Sequence, residues 1–244
     1  MSKKSEREER AAKAAALLAE QRRKEKRRNL LTAGAVVLVM VLLIGGGFLY
    51  NSLRDTTGAK AVVPANLSGP YTVTLGKDSA PAKITLYEDL QCPVCAGLEA
   101  SAGSLIQQGI DDGKLQVTYH MIAFLDGSST TRYSTRALNA LMTVLDTAGP
   151  DVYLKYHSLL YADQPQEGSA GLTDDRLIEI AVQAGADGSA IKGPIDDLKY
   201  EQWVKNSTDD FSKRGYSSTP TGVIDGKTLV AAGDIAAAIK AAVS

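Results

Sequence analysis

Lys83–Leu90 (KITLYEDL) reads as a strand apolar enough to be central in a sheet, and it runs straight into Gln91-Cys92-Pro93-Val94-Cys95. An Ala/Ser/Leu stretch follows to about Ile110 and reads as a helix. Cys92 and Cys95 are the only cysteines in the chain, three apart, at the hand-over from strand to helix. With Cys92 as N-cap, Pro93 takes the first helical position, where a missing N–H costs nothing. The Cys92 sulfur then faces unpaired amides and the positive end of the helix dipole, which favour thiolate over thiol. Cys95 lies one turn on, close enough to bond to Cys92 and less exposed. That is an attacking and a resolving thiol. A structural disulfide would close too small a loop to stabilise much. A metal site would have to recruit His120, His157 or carboxylates. An inert pair is the remaining reading.

The rest of the chain frames this pair in a particular topology. Tyr71–Leu75 alternates as a strand ending at Gly76, and Leu115–Ala123 reads as another, so strand–helix–strand with parallel pairing is expected. Helical spacing then dominates for nearly a hundred residues. Leu138, Leu141, Leu145 and Ala148 recur on one face, as do Leu177, Ile180, Ala181 and Ala184, with Thr173 as N-cap and Gly185 as C-cap. A further helix is expected to start near Pro194 and stop at Gly215. The chain closes with Thr221–Asp225, an Asp225-Gly226 turn, Thr228–Ala231, and a helix from about Asp234 to Val243. The class is α/β with a helical insertion at about 127–215.

CPVC after a strand, the helical insertion, and Thr219-Pro220 before a strand pair resemble the DsbA-like branch of the thioredoxin superfamily. The resemblance covers about 71–244. It implies a thioredoxin-like fold and an extracytoplasmic thiol–disulfide oxidoreductase, with Cys92 as nucleophile and Cys95 as resolving thiol. By the same resemblance Pro220 corresponds to the family's cis-proline, against the plainer reading of a trans-proline at a strand start. Thr219 would offer its backbone to an extended substrate peptide. The resemblance implies no cofactor beyond the redox-active cysteine pair, and no metal. It also implies a membrane redox partner and exported proteins with thiols or disulfides as substrates.

Two positions depart from the family. Strong oxidants carry histidine where this chain has Val94, so the Cys92 thiolate is expected to be less stabilised and the disulfide a milder oxidant. Many relatives also have an acid six residues before the first cysteine, where Leu86 stands here. Glu88 shares a strand face with Ile84, Leu86 and Leu90, and reads either as a displaced buried acid serving Cys95 or as a solvated or salt-bridged strand-end residue. Asp89 reads as solvent-facing. His120 reads as a core or edge residue, His157 as surface or packing, and Trp203 with the nearby tyrosines as packing groups.

Charge is distributed in three blocks. Residues 1–28 hold 11 Lys/Arg and 5 Asp/Glu, residues 29–50 hold none, and residues 51–244 hold 16 and 23. An acidic C-terminal part argues against nucleic-acid binding. The uncharged Leu30–Tyr50 is long enough to cross a bilayer core of roughly 30 Å. The expected organisation is a charged cytoplasmic tail (1–28), a transmembrane signal-anchor (29–50), a linker (51–70) and the catalytic domain (71–244). Basic residues crowd the N-terminal flank, so the N-terminus is expected in the cytoplasm and the domain outside a bacterial plasma membrane. A reductase or isomerase on the same cysteines is the nearest alternative, and a copper carrier the more distant one.

Overall fold

The computed structural model describes residues 20, 22–29, 31, 34, 38–46 and 56–244. The chain divides into two units, Met1–Thr56 and Thr57–Ser244. In the first, residues 22–29 and 38–46 are helical. Of the expected membrane span, residues 30, 32, 33, 35–37 and 47–50 lie outside the described residues. Among those described, no helix is long and apolar enough to cross a membrane.

The second unit is built on a five-stranded sheet. Its strands are β1 (Val73–Leu75), β2 (Ala82–Asp89), β3 (Leu115–Ile122), β4 (Thr221–Ile224) and β5 (Lys227–Leu229), in the order β1-β3-β2-β4-β5. β2 runs parallel to β3 through eight pairs from Ala82↔Leu115 to Asp89↔Ile122, and antiparallel to β4 from Ile84↔Ile224 to Tyr87↔Thr221. The crossover between β2 and β3 is α1 (Pro93–Asp111), which buries Cys95, Leu98, Ala102 and Ile106. These fall three to four residues apart, so one stripe of the helix faces the core. β1 ends at Gly76 with φ +95, where a side chain would run into the Leu115 carbonyl.

Between β3 and β4 lie a 3-10 turn (Phe124–Ser128) and five helices: α2 (Tyr133–Ala148), α3 (Pro150–Ala162), α4 (Asp174–Ala184), α5 (Gly188–Asp196) and α6 (Glu201–Lys213). A terminal helix, α7 (Ala232–Val243), packs against α1. Thr173 caps α4 by accepting from the Arg176 amide at 3.2 Å, and Gly185 ends it at φ +115.

The single helix expected from Pro194 to Gly215 is instead two. Pro194 lies inside α5, and the chain breaks between Asp196 and Glu201 with Leu198 at φ +50. Buried Asn139 of α2 supports the break: its Nδ2 donates to the carbonyls of Pro194 (3.2 Å) and Ile195 (3.3 Å), and its Oδ1 accepts from the Tyr200 amide (2.8 Å). The backbone groups freed by the break are thereby satisfied inside the protein.

The stretch after residue 56, read as linker, is tied to the domain by named bonds. The Gly58 amide donates to Asn206 Oδ1 and Asn206 Nδ2 to the Ala59 carbonyl (2.8 and 2.9 Å). The Ala65 amide donates to Asp146, and Trp203 Nε1 to the Pro70 carbonyl (2.8 and 3.0 Å).

Candidate active site

The redox pair stands where β2 delivers the chain into α1. Cys92 is extended (φ −76, ψ 116), caps α1, and is followed by Pro93 at the first helical position. Pro93 and Val94 are exposed, Cys92 is nearly buried and Cys95 is fully buried; both thiols are free. The connection is held from several sides. The Cys92 amide donates to the Asp89 carbonyl at 2.9 Å, and Gln164 Nε2 donates to the carbonyls of Leu90 (2.9 Å) and Cys92 (3.0 Å). Gln164 lies just past α3 and carried no sequence signal, because its partners are backbone carbonyls more than seventy residues away.

The register between β2 and β4 brings the second half of the site alongside. Thr221 pairs with Tyr87, so the preceding Thr219-Pro220, whose peptide bond is cis, reaches the cysteine end of β2. The Cys92 Sγ donates to the Thr219 carbonyl at 3.4 Å. Pro220 is buried and Thr219 half-buried.

The two thiols have opposite proton affinities. Cys92 is lowered to about 6, chiefly by a hydrogen bond from the Cys95 thiol; burial opposes this, while the Thr219 side chain and the Cys95 and Val94 amides add to it. The same surroundings push Cys95 far up, through burial first, then Cys92 and the Glu88 charge. Cys92 is therefore the nucleophile at neutral pH and Cys95 stays protonated. Because the folded value lies below the unfolded one, the thiolate stabilises the reduced fold above the unfolded pKa, and that contribution is lost as pH falls through about 6. Iodoacetamide alkylation of the reduced protein is accordingly expected to titrate with a midpoint near 6. A midpoint above 8 would remove the asymmetry.

Beneath the cysteines, Glu88 is 1% exposed and His157 of α3 is fully buried, with His157 Nε2 3.0 Å from Glu88 Oε2. Of the two readings of Glu88, the structure places it in the interior. Burial raises its pKa, against the hydrogen bond and charge of His157. For His157 burial works downward, but the Glu88 hydrogen bond and the charges of Glu99 and Glu88 outweigh it and the net shift is upward. The sequence reading of His157 as surface or packing missed this pairing, which joins residues 69 apart.

Asp89 needs a correction too. It is fully buried, not solvent-facing, and its carboxylate accepts from the Gln91 amide (2.8 Å), the Leu125 amide (2.8 Å) and Ser134 Oγ (2.6 Å). Burial outweighs these bonds and raises its pKa to about 6. As a central strand, β2 is covered on both faces, so alternation does not put either acid in water. His120 is buried on β3, with Nε2 3.1 Å from the Ser207 carbonyl. Trp203 and the tyrosines of 153–161 and 200 are all core groups. Among the described residues no three His, Cys, Asp or Glu side chains come together as metal ligands.

The sequence profile of the family described as Thioredoxin matches residues 68–241. The chain belongs to the thioredoxin family. The solved structures it resembles place it on the DsbA-like form of that fold, with the helical insertion. DsbA of Mycobacterium tuberculosis is 26% identical, with a TM-score of 0.55 over 77% of this chain and 91% of that one. MdbA of Actinomyces oris, a thiol-disulfide oxidoreductase, shares the fold at 20% identity, with a TM-score of 0.62 over 75% of this chain and 93% of that one. Among curated proteins, the serine/threonine-protein kinase PknE of Mycobacterium tuberculosis is 33% identical over 165 residues, 65% of this chain. The matched stretch is 29% of the kinase, so this chain corresponds to less than a third of that relative's length.

Proposed function

We propose that this family member is a membrane-anchored thiol–disulfide oxidoreductase that exchanges disulfides with exported proteins, running chiefly as an oxidase. The observation that carries the reading is the contrast in proton affinity between neighbouring thiols, with Cys92 Sγ set against the Thr219 carbonyl. The solved relatives of DsbA type support the same chemistry.

In the oxidase direction a substrate thiolate attacks Cys92 Sγ of the Cys92–Cys95 disulfide. The S–S bond breaks, Cys95 leaves as thiolate and takes a proton, and substrate and Cys92 share a mixed disulfide. A second substrate thiolate attacks the substrate sulfur and expels Cys92 as a stable thiolate. Two electrons pass from substrate to protein. Glu88, whose carboxylate raises the Cys95 pKa, is the acid that exchanges the Cys95 proton. The extended substrate lies along Thr219 and Pro220, with Pro93 and exposed Val94 at its other edge. Reoxidation falls to a membrane redox partner of the quinone-reducing kind. Anchoring rests on the uncharged Leu30–Tyr50 with its basic N-terminal flank, and the positive-inside rule supports a domain outside the plasma membrane.

The test is the equilibrium reduction potential in glutathione buffers. A strong oxidant with a nucleophile pKa of about 3.5 sits near −120 mV. Each pKa unit of thiolate stabilisation lost corresponds to roughly 30 mV in a two-electron couple, so a thiol at about 6 is expected near −190 mV at pH 7. A value near about −270 mV would make the protein a reductase. The absence of any reversible couple would end the redox reading.

A further inference from the structure

Resting on that exchange reading, we propose that His157 and Glu99 form a proton path linking the buried Glu88–Cys95 end of the site to solvent, through the groove between α1 and α3. Cys95, Glu88 and His157 are sealed, so a proton gained or lost by Cys95 in each cycle has to cross protein. Cys92 and its covalently bound substrate occupy the outer side. The inner side shows a graded sequence of groups. Glu88 Oε2 lies 3.0 Å from His157 Nε2, and the other ring nitrogen, Nδ1, lies 4.0 Å from Glu99 Oε2. The Glu99 side chain is 10% exposed, and it is the first carboxylate of the series to reach water.

Four observations show that this arrangement is built. Glu99 lines a groove of about 370 Å³ whose α1 wall, apart from Glu99 itself and Gln107, is made of small residues, Ala96, Ala100, Gly103 and Ser104. Its carboxylate is held there by Ser158 Oγ, which donates to Oε1 at 2.5 Å. It also occupies the space a side chain at Gly103 would take, since a Cβ there would stand 2.6 Å from Oε1. Finally, His157 Nδ1 is buried without a hydrogen-bond partner and faces Glu99 Oε2 at 4.0 Å.

The groups facing His157 from every side are few. Glu88 comes from β2, Tyr119 from β3, Glu99 from α1, and Tyr153 and Tyr161 from its own helix, with the rings of Tyr119 and Tyr161 at 4.8 and 4.9 Å. Burial and the nearby carboxylates hold all three phenols neutral. Of the groups facing His157, the phenols therefore take no part, which leaves the imidazole and the carboxyl groups to pass the proton. When Cys95 is expelled as thiolate, Glu88 gives it a proton, the Nε2 proton of His157 moves to Glu88, and Nδ1, the unprotonated ring nitrogen, takes a proton by way of Glu99. The reverse sequence removes the proton when Cys95 attacks a mixed disulfide. His157 and Glu99 never touch substrate; they act through Glu88.

The experiment uses the full chain loaded with glutathione as a mixed disulfide at Cys92, and follows its resolution by Cys95 from pH 5 to 9. His157→Gln and Glu99→Gln are expected to slow resolution by at least about tenfold and to displace or erase the inflection of the pH profile. Gly103→Ala, which sets a methyl group against the Glu99 carboxyl, is expected to act in the same direction and keeps the test open should His157→Gln not fold. Cys92 alkylation in the reduced variants should stay within about twofold of wild type, because the path serves Cys95. Unchanged resolution rates and profiles in Glu99→Gln and Gly103→Ala would overturn the path while leaving the exchange reading intact. Parallel loss of Cys92 alkylation would reduce both residues to a structural role. Failure of the wild-type chain to form the glutathione adduct would defeat the exchange reading itself.

Discussion

Cys95→Ser is expected to arrest the protein as a covalent adduct with its substrate, visible as a reductant-sensitive species of higher mass, with turnover down about 1,000-fold or more. In the reverse, disulfide-reducing direction the Cys92 thiolate attacks a substrate disulfide without Cys95 taking part, and the serine hydroxyl can still donate to Cys92 as the thiol did. Clearing that adduct from within the protein needs a second thiol, and Cys95 supplies the only one besides Cys92; without it no Cys92–Cys95 disulfide forms either, so the oxidase direction is lost as well. Cys95→Ala adds a second arm. It removes the donor that contributes most to the low Cys92 pKa, so adducts should form more slowly than in the serine variant. Cys95→Ser turning over at the wild-type rate with no adduct would show that Cys95 is not the resolving thiol.

Asp89→Ala is expected to cost about 4 kcal/mol of stability, the largest effect away from the cysteines. It strips partners from two backbone amides and the Ser134 hydroxyl in the interior, and each orphaned donor costs about 1–3 kcal/mol. For a domain of this size that is a fall of roughly 10 °C in Tm. Direction with pH follows from the pKa of about 6, raised above the unfolded value. Protonated Asp89 adds stability below the unfolded pKa, and that share is lost as pH rises through 6. Calorimetry should therefore find a slope between pH 4 and 6 that Asp89→Asn flattens. An unchanged Tm in the alanine variant would mean these bonds carry little net energy.

What could be read from the chain alone was whatever depends on neighbours in sequence. Strand, N-cap cysteine, Pro93 and helix lie within thirty residues, and their periods and caps mark them directly. Thr219-Pro220 was placed by its order ahead of a hairpin marked by Asp225-Gly226. The buried chemistry was not legible, because it depends on helices that reach back over the sheet. Glu88 meets His157 and Asp89 meets Ser134 only once α2 and α3 are packed, and a central strand covered on both sides gives no alternation from which to infer water. Pro194 misled for a related reason: proline marks a first helical turn locally, but here Asn139, 55 residues earlier, holds the chain break beyond it.

The bond between Cys92 and the Thr219 carbonyl spans 127 residues of sequence. In a chain still emerging during synthesis, with β4 not yet made, that contact does not exist, and without the packed core the Cys95 thiol is not buried. The nascent pair then keeps only the local part of its asymmetry, the hydrogen bond from the Cys95 thiol and the amides of the first helical turn. Burial of Cys95 and the Thr219 contact are added only as the core packs and the last strands dock, so the contrast between the two thiols is completed at the moment the fold closes.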